Sequence, residues 1–422
     1  MRVVYDTCCG IDVHKKVLVA TIVTTDNKGF STYLQESFST FNYDLQRLHD
    51  WLIEHDCHHV CMESTGKYWI PVFNYLESDI HVCLTHPKYV RAIKGRKTDK
   101  KDSKWIADLY KFDLVRSSFI PPEDFRQLRE IARYRVKLNY MKTAEKNRIQ
   151  NSMTVSNIGI DKVFSDPFGR SAKDIMTHVL EHSSGPIDRT AIAGMIRKNT
   201  KASVDEIVAA IEGSRIRSDQ RLKLSLARDH LEYLERLITR TEVELFIRMQ
   251  PYQEYVDLVQ TIPGMTALSS TIVLAEVGVD MSVFEDSRHL TSWAGLAPGC
   301  NESANKKKSV RIMKAGAYLK PLMVQCALAA IKCKKQPYFS IKYSKIRKRR
   351  GHKKAIIAVA RMMMVCLYHI VRDKKAFSPN DYDELVNPEE QPKKVVLNEA
   401  NVFEFLAQHG YDTTVLVKCN ES

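Results

Sequence analysis

The first 120 residues alternate β-rich runs, near 3–5, 17–23, 58–62 and 80–84, with helical patterns near 43–54, 67–77 and 102–111. That rhythm is the rhythm of an α/β sheet, because strands separated by helical segments bury both faces of a sheet under their own connections. Four acids fall at telling places in it. Asp12 lies in VVYDTCCGIDVHKKVLVATIV, where two β-rich runs flank Gly10, and Glu63 closes the apolar run HHVCME in a matching strand-end position. Asp99 and Asp102, three apart in KTDKKDSKWIADLYK, open a helix and so share one of its faces. Surface acids and helix caps are the ordinary use of such residues. Carboxylates gathered from separate strand and helix ends suit a different task, holding hard cations such as Mg2+ or Mn2+ that stabilise the attacking and leaving oxygens of a displacement at phosphorus.

Charge points to a polyanionic partner. The 422 residues carry 64 Lys and Arg against 50 Asp and Glu, a net charge of +14. Between Ser303 and Arg372 there is no acid at all, and the stretch holds Lys306, Lys307, Lys308, Arg311, Lys314, Arg347, Lys348, Arg349, Arg350, Lys353 and Lys354. A block of this length repels itself unless phosphates neutralise it, which marks these cations as candidate nucleic-acid contacts. Ten cysteines follow no disulfide-like spacing and no signal peptide opens the chain, so a reducing cytoplasm is expected. No apolar run reads as long enough to span a membrane, and no membrane partner is expected. Cys57, His58, His59 and Cys61 form CHHVC, but no second ligand pair stands at finger spacing, and the segment reads as a strand. The adjacent Cys8 and Cys9 point to opposite faces of a strand and read as packing.

The length allows two or three domains. From PPEDFRQL onward one long helix runs to about Met153, with Leu128, Ile131, Leu138, Met141 and Ile149 near heptad spacing. Small helices and loops fill 154–220, and a second long amphipathic helix, RLKLSLARDHLEYLERLITRTEVELFIRM, follows. The two long helices suit an antiparallel coiled coil or two members of a local bundle equally. TIPGMTALSSTIVLAEVG then places a Pro-Gly turn before a helix, a turn able to present backbone N–H groups to a phosphate. Ser303 lies between Glu302 and the lysine run, where a hydroxyl would meet an anionic substrate; a serine beside lysines is ordinarily a polar loop residue.

GIDVHKK, MESTGKYW and KTDKKDSKWIADL, followed far downstream by IPGMTALSSTIVLAEVG, WAGLAPGCNESANKKKS and GHKKAIIAVARMM, resemble in order the insertion-sequence transposases of the DEDD type, over roughly residues 5–385. The resemblance implies an α/β plus α architecture: an RNase H-like, RuvC-like domain over 1–120, a coiled-coil helical region over 121–250, a mainly helical transposase domain over 251–376 and a tail over 377–422. It implies a DEDD tetrad of Asp12, Glu63, Asp99 and Asp102 that binds metal, and a nucleophilic Ser303. It further implies a recombinase that cuts and rejoins donor and target DNA through a DNA–phosphoserine link. A structured non-coding bridge RNA would guide it, within a homo-oligomer of two to four subunits in a nucleoid-associated cytoplasmic setting. The chain departs from the family's usual pattern at Asn305 and Thr266, where glycines are usual. Asn tolerates a left-handed backbone, whereas β-branched Thr resists one. Two other functions suit the same residues: a metal-dependent nuclease or Holliday-junction resolvase acting by hydrolysis, and a non-catalytic RNA-binding protein.

Overall fold

The computed structural model describes residues 2–63, 66–87, 99–182, 187–298, 302–303, 306–307, 311–312, 315–386 and 402–410. The chain forms two compact units, Met1–Arg126 and Gln127–Ser422.

The first unit is a five-stranded sheet with helices on both faces. Its elements run β1 (Thr7–Val13), β2 (Val17–Thr25), β3 (Ser31–Ser39), α1 (Asn42–Glu54), β4 (His59–Glu63), α2 (Trp69–Leu76), β5 (His81–Thr85) and α3 (Asp99–Lys111). The strand order is β3-β2-β1-β4-β5. β1, β2 and β3 pair antiparallel, and β4 and β5 join them parallel to β1. Alternation decides the faces. Cys9, Ile11 and Val13 enter a core with Leu45, Leu48 and Leu52 of α1 and Val72 and Leu76 of α2. Cys8 enters a smaller core with Cys61, Cys83 and Ile106, Ala107 and Tyr110 of α3. The two adjacent cysteines therefore serve opposite layers.

Two strands differ from the sequence reading. The first strand is Thr7–Val13, with Gly10 inside it, and not the run at 3–5. β3, STYLQESFS, escaped notice because it is an edge strand whose side chains are mostly exposed, so it lacks the apolar alternation that announces a half-buried strand.

The second unit is helical among its described residues, apart from a two-stranded ribbon. α4 (Glu123–Val155) begins at the unit boundary. α5 (Ile160–Val163), α6 (Arg170–Glu181), α7 (Arg189–Met195) and α8 (Val204–Ile211) follow, and then α9 (Ser218–Met249). α4 and α9 lie side by side in opposite directions. Arg135 donates to Glu242, Lys142 pairs with Glu235 and His230 bonds Glu145, while Leu138 packs against Leu234 and Ile238. The short helices α5–α8 share a core with the adjoining ends of this pair, through Ile149, Met153, Leu224 and Leu231.

Beyond it come α10 (Gln253–Gln260), α11 (Ala267–Val277), α12 (Ser287–Trp293), β6 (Glu302–Ser303), β7 (Lys306–Lys307), α13 (Leu319–Ala330), α14 (Tyr338–Arg350), α15 (His352–Asp373), α16 (Tyr382–Val386) and α17 (Val402–Gln408). α15 is the centre of this cluster, packed against α10, α12, α13 and α14. By length and composition alone it is also apolar enough to cross a membrane, which corrects the sequence reading; Arg361 interrupts the run and hid it. More than half of that apolar window is buried inside the fold.

Candidate functional site

β1 and β4 run parallel in a register that pairs Gly10 with Cys61 and Ile11 with Met62. One step further along both strands, Asp12 comes beside Glu63. Both carboxylates leave the sheet on the α3 face, because Glu63 stands two residues after Cys61 and Asp12 two after Gly10. Asp12 is buried and its Oδ2 lies 3.2 Å from His14 Nε2, while Glu63 and Asp102 are half-buried.

What brings α3 over these strands is the absence of a side chain at Gly10. A Cβ there would come within 2.3 Å of both the Ala107 nitrogen and the Ser103 carbonyl oxygen, so α3 rests directly on β1. Cys8 donates its thiol to the Ala107 carbonyl at 3.7 Å, and Val4 N–H reaches the Lys111 carbonyl. α3 therefore runs antiparallel to β1 and its first turn, with Asp99 and Asp102, lies toward the Asp12 end of the strand.

A polar cluster that sequence reasoning missed fixes the same contact. The Thr21 and Ser103 hydroxyls are 2.8 Å apart, and the Gln35 amide donates to Thr21 Oγ1 at 2.7 Å and to Ser103 Oγ at 3.1 Å. Ser103 is fully buried next to Asp102, so the cluster sets both the height and the rotation of the turn that carries the acid. A serine directly after an acid in a helix start is too common to single out. The available signal was Thr21, a polar residue within the apolar run of β2 opposite Gly10.

Asp99 is the first residue of α3, and its side chain lies outside the described residues. Among the described residues no group of three or more His, Cys, Asp or Glu side chains is arranged to hold a metal ion. In kind the donors fit a hard divalent cation, since Asp12, Glu63 and Asp102 all offer carboxylate oxygens at one end of the sheet. CHHVC does not gather as a ligand set: Cys57 and Cys61 enter the two different cores, and burial pushes the Cys57 thiol up to about 12.

In the second unit the backbone of Ser303 pairs with Lys306, and Glu302 with Lys307, in the short β6–β7 ribbon. The side chains of all four, and Lys308, Lys314 and Asn305 altogether, lie outside the described residues. Arg311 is exposed at the edge of that segment. Six further cations gather around a bend. Arg347, Lys348, Arg349 and Arg350 end α14, Gly351 turns the chain with φ +79°, and Lys353 and Lys354 begin α15. All six are exposed, and among the described residues none pairs with a carboxylate.

The Pro-Gly turn before α11 takes a form different from the expected anion cradle. Thr266 has an extended backbone, φ −115°, and caps α11 by a reciprocal exchange with Ser269, so its β-branch is unstrained. The left-handed residue is Gly264, φ +86°, whose missing Cβ admits the Cys326 carbonyl and the Ala330 nitrogen of α13, each 2.5 Å from where that atom would stand. Thr266 N–H and Ser269 N–H are already satisfied by side chains, so two of the donors that the turn would present are taken.

Residues 9–157 match the model of DEDD transposases of the IS110 type, described as a transposase. Residues 256–344 match a second model, described as transposase, IS116/IS110/IS902 family. The chain is also 25% identical over 309 residues, 68% of its own length and 74% of the relative's, to the 44.8 kDa uncharacterized protein of insertion element IS116 from Streptomyces clavuligerus. The first match spans nearly all of the sheet with its strand-end carboxylates, and the second spans Ser303 and ends at residue 344, before the cationic last turn of α14. The chain belongs to the IS110-type DEDD transposases, enzymes of insertion-sequence transposition.

Proposed function

We propose that the protein cuts and rejoins the DNA of its insertion sequence through Ser303, assisted by a divalent cation on Asp12, Glu63, Asp99 and Asp102 and directed by a bridge RNA. The observation that carries the metal half is the β1–β4 register, which sets Asp12 beside Glu63 under the first turn of α3. The order β3-β2-β1-β4-β5, three antiparallel strands followed by two parallel ones, supports an RNase H-like, RuvC-like identity for residues 1–120. The antiparallel α4–α9 pair supports a coiled-coil region over 121–250. Residues 251–376 then form the transposase domain and 377–422 a tail.

Mg2+ or Mn2+, the class of metal on which enzymes of this type generally rely, would polarise the phosphate and stabilise the leaving oxygen. The chain's own residues do the rest. The Ser303 hydroxyl gives up its proton and its oxygen bonds to phosphorus; the bridging P–O bond breaks, and the freed DNA oxygen takes up a proton. Rejoining reverses these steps with a hydroxyl of another strand. Lys306, Lys307, Lys308, Arg311 and Lys314 neutralise phosphate around the serine. Arg347, Lys348, Arg349, Arg350, Lys353 and Lys354 hold nucleic acid by its backbone, leaving sequence to base pairing with the guide. The two centres belong to different units, and a homo-oligomer in which one subunit's carboxylates serve another's serine accommodates both.

Purified protein mixed with its element's RNA, Mg2+ and end-labelled DNA tests this. A covalent protein–DNA adduct should form, vanish in Ser303→Ala, and fall about a hundredfold or more in Asp12→Ala and Asp102→Ala. Cut strands with free ends and no adduct would assign hydrolysis to the carboxylates, making the enzyme a nuclease or resolvase. Intact recombination in both aspartate variants would remove the metal site.

A further inference from the structure

The corner that joins β3 to α1 carries two large rings that the packing of the fold does not explain. Phe41 is 67% exposed and Tyr43 70%, with ring planes 15° apart and centroids 6.0 Å apart. Phe41 also occupies the N-cap of α1, with an extended backbone and no side-chain hydrogen bond to the helix. Ser, Thr, Asp or Asn at an N-cap contributes about 1 kcal/mol. An exposed phenyl group forgoes that contribution without gaining burial, and departures of this kind from local rules gather at functional positions.

Strand register places the corner. Asp12 pairs with Val19 and Val19 with Ser37, so one row crosses β1, β2 and β3 and sets Ser37 about 10 Å from Asp12. Phe41 is four residues further on, past the end of β3, at the same end of the sheet as the carboxylates. The Thr40 hydroxyl donates to the Lys15 carbonyl at 3.1 Å and fastens the corner to the β1–β2 turn. That turn holds Lys15 and Lys16, both exposed and, among the described residues, neither paired with a carboxylate. The corner's own acid, Asp44, is buried, where it accepts from Ser39 N–H at 2.7 Å and pairs with Arg47.

Two rings rimmed by positive charge select their occupant. They are too small a patch for a protein interface, which buries about 800 Å2 on each partner, and Asn42 between them is polar and exposed. An unpaired nucleobase offers a π-face that matches a ring, and its backbone offers phosphates to the lysines; base–aromatic stacking also tolerates any sequence. A duplex keeps those faces inside its own stack, so the fit is to a single strand.

We propose that Phe41 and Tyr43 form a stacking platform for unpaired bases of the DNA strand whose phosphate lies at Asp12, with Lys15 and Lys16 on its backbone. The platform rests on the reading of the carboxylates as the place where DNA is engaged. It requires neither Ser303 nor turnover, so the two can fail separately.

The test uses the full-length protein, with Ca2+ in place of Mg2+, and single-stranded DNA carrying 5-iododeoxyuridine, which couples on irradiation to an aromatic ring stacked on it. Peptide mass spectrometry should find the adduct on Phe41 or Tyr43. Wild type should also bind a base-bearing strand about tenfold or more tighter than its abasic counterpart, and Phe41→Ala with Tyr43→Ala should cut that preference about fivefold or more. Binding of the abasic strand should stay within about twofold, and Phe41→Trp should keep the preference, because only the stacking face is at stake. Lys15→Ala with Lys16→Ala should instead weaken both strands alike and lower the salt slope by about 1.4. Both rings are exposed, so the melting temperature should not move in the ring variants. No adduct on either ring, an unchanged preference in the double ring variant, or an adduct formed only with an iodouridine RNA would each overturn the platform. A DNA–phosphoserine link formed at wild-type level by the double ring variant, with no adduct on the rings of the wild type, would sink the platform and leave the serine chemistry standing. Adducts on the rings without any phosphoserine link would do the opposite.

Discussion

Gly10 and Gly264 answer the same demand in the two units, and they answer it differently. Each lets a helix lie on backbone: α3 over Gly10, with a Cβ position 2.3 Å from Ala107 N, and α13 over Gly264, with a Cβ position 2.5 Å from Ala330 N. Gly10 sits in ordinary extended strand and is required only for room. Gly264 has φ +86° and is required for room and for conformation at once. The contact over Gly10 continues into polar groups, Thr21, Ser103 and Gln35, and ends at carboxylates; the contact over Gly264 continues into the apolar helices around α15. One close approach positions a candidate site, the other builds a core.

The largest effect should therefore come from Gly264→Ala. Left-handed strain of about 1–2 kcal/mol adds to backbone overlap of about 1–3 kcal/mol, and the relevant partners are main-chain atoms that cannot rotate away. Thermal unfolding should show a loss of several degrees, and hydrogen exchange should rise in α11 and α13. A melting temperature within a degree of wild type would break the comparison at its stronger end. Gly10→Ala carries only the overlap, about 1–3 kcal/mol, yet it lifts the helix that bears Asp99 and Asp102. Misplacing reacting groups by about an ångström costs on the order of a hundredfold in rate, so this variant should lose far more DNA cleavage than stability. Equal proportional losses in the two glycine variants would show that Gly10 has no special bearing on the site.

The next effect is smaller and lies inside the first contact. Ser103→Ala leaves the buried Thr21 hydroxyl without one partner and should cost about 1–2 kcal/mol; Thr21→Val with Ser103→Ala should cost less than the two single changes added together, because the second change removes the orphan left by the first. Strict additivity in urea unfolding would mean that the hydroxyls do not act as a pair.

These contacts also mark where the sequence could be read and where it could not. Cys8 and Cys9 disclosed the two faces of β1 because strand alternation is local. α3 was legible from the acids that open it, and the acid-free block from composition alone. The adjacency of Asp12 and Glu63 was not, since it depends on the parallel register of strands about fifty residues apart. β3 was invisible because an edge strand with polar, exposed side chains has no apolar period to detect. At Thr266 the expectation rested on a left-handed backbone, and the chain places that conformation two residues earlier, at Gly264, leaving Thr266 to cap the helix.

Each glycine contact contains a thiol that reports on it. Cys8 bonds the Ala107 carbonyl above Gly10, and burial pushes its thiol up to about 12; Cys326, whose carbonyl faces Gly264, is raised by burial in the same direction. Both should resist alkylation in the folded protein at pH 8, where the thiol is both protonated and inaccessible. Gly10→Ala should speed the labelling of Cys8 and leave Cys326 protected, and Gly264→Ala should do the reverse. Because the folded pKa of Cys8 lies above its ordinary value of 9.0, the protonated thiol contributes its full share of stability below about pH 9 and loses it progressively as pH rises toward 12. Cys8→Ala should accordingly flatten the alkaline part of the stability profile, a change of at most a few degrees. An alkaline profile identical in wild type and variant would mean that the α3 contact opens before the thiol ionises, and that the sheet's helix is held more loosely than its counterpart over Gly264.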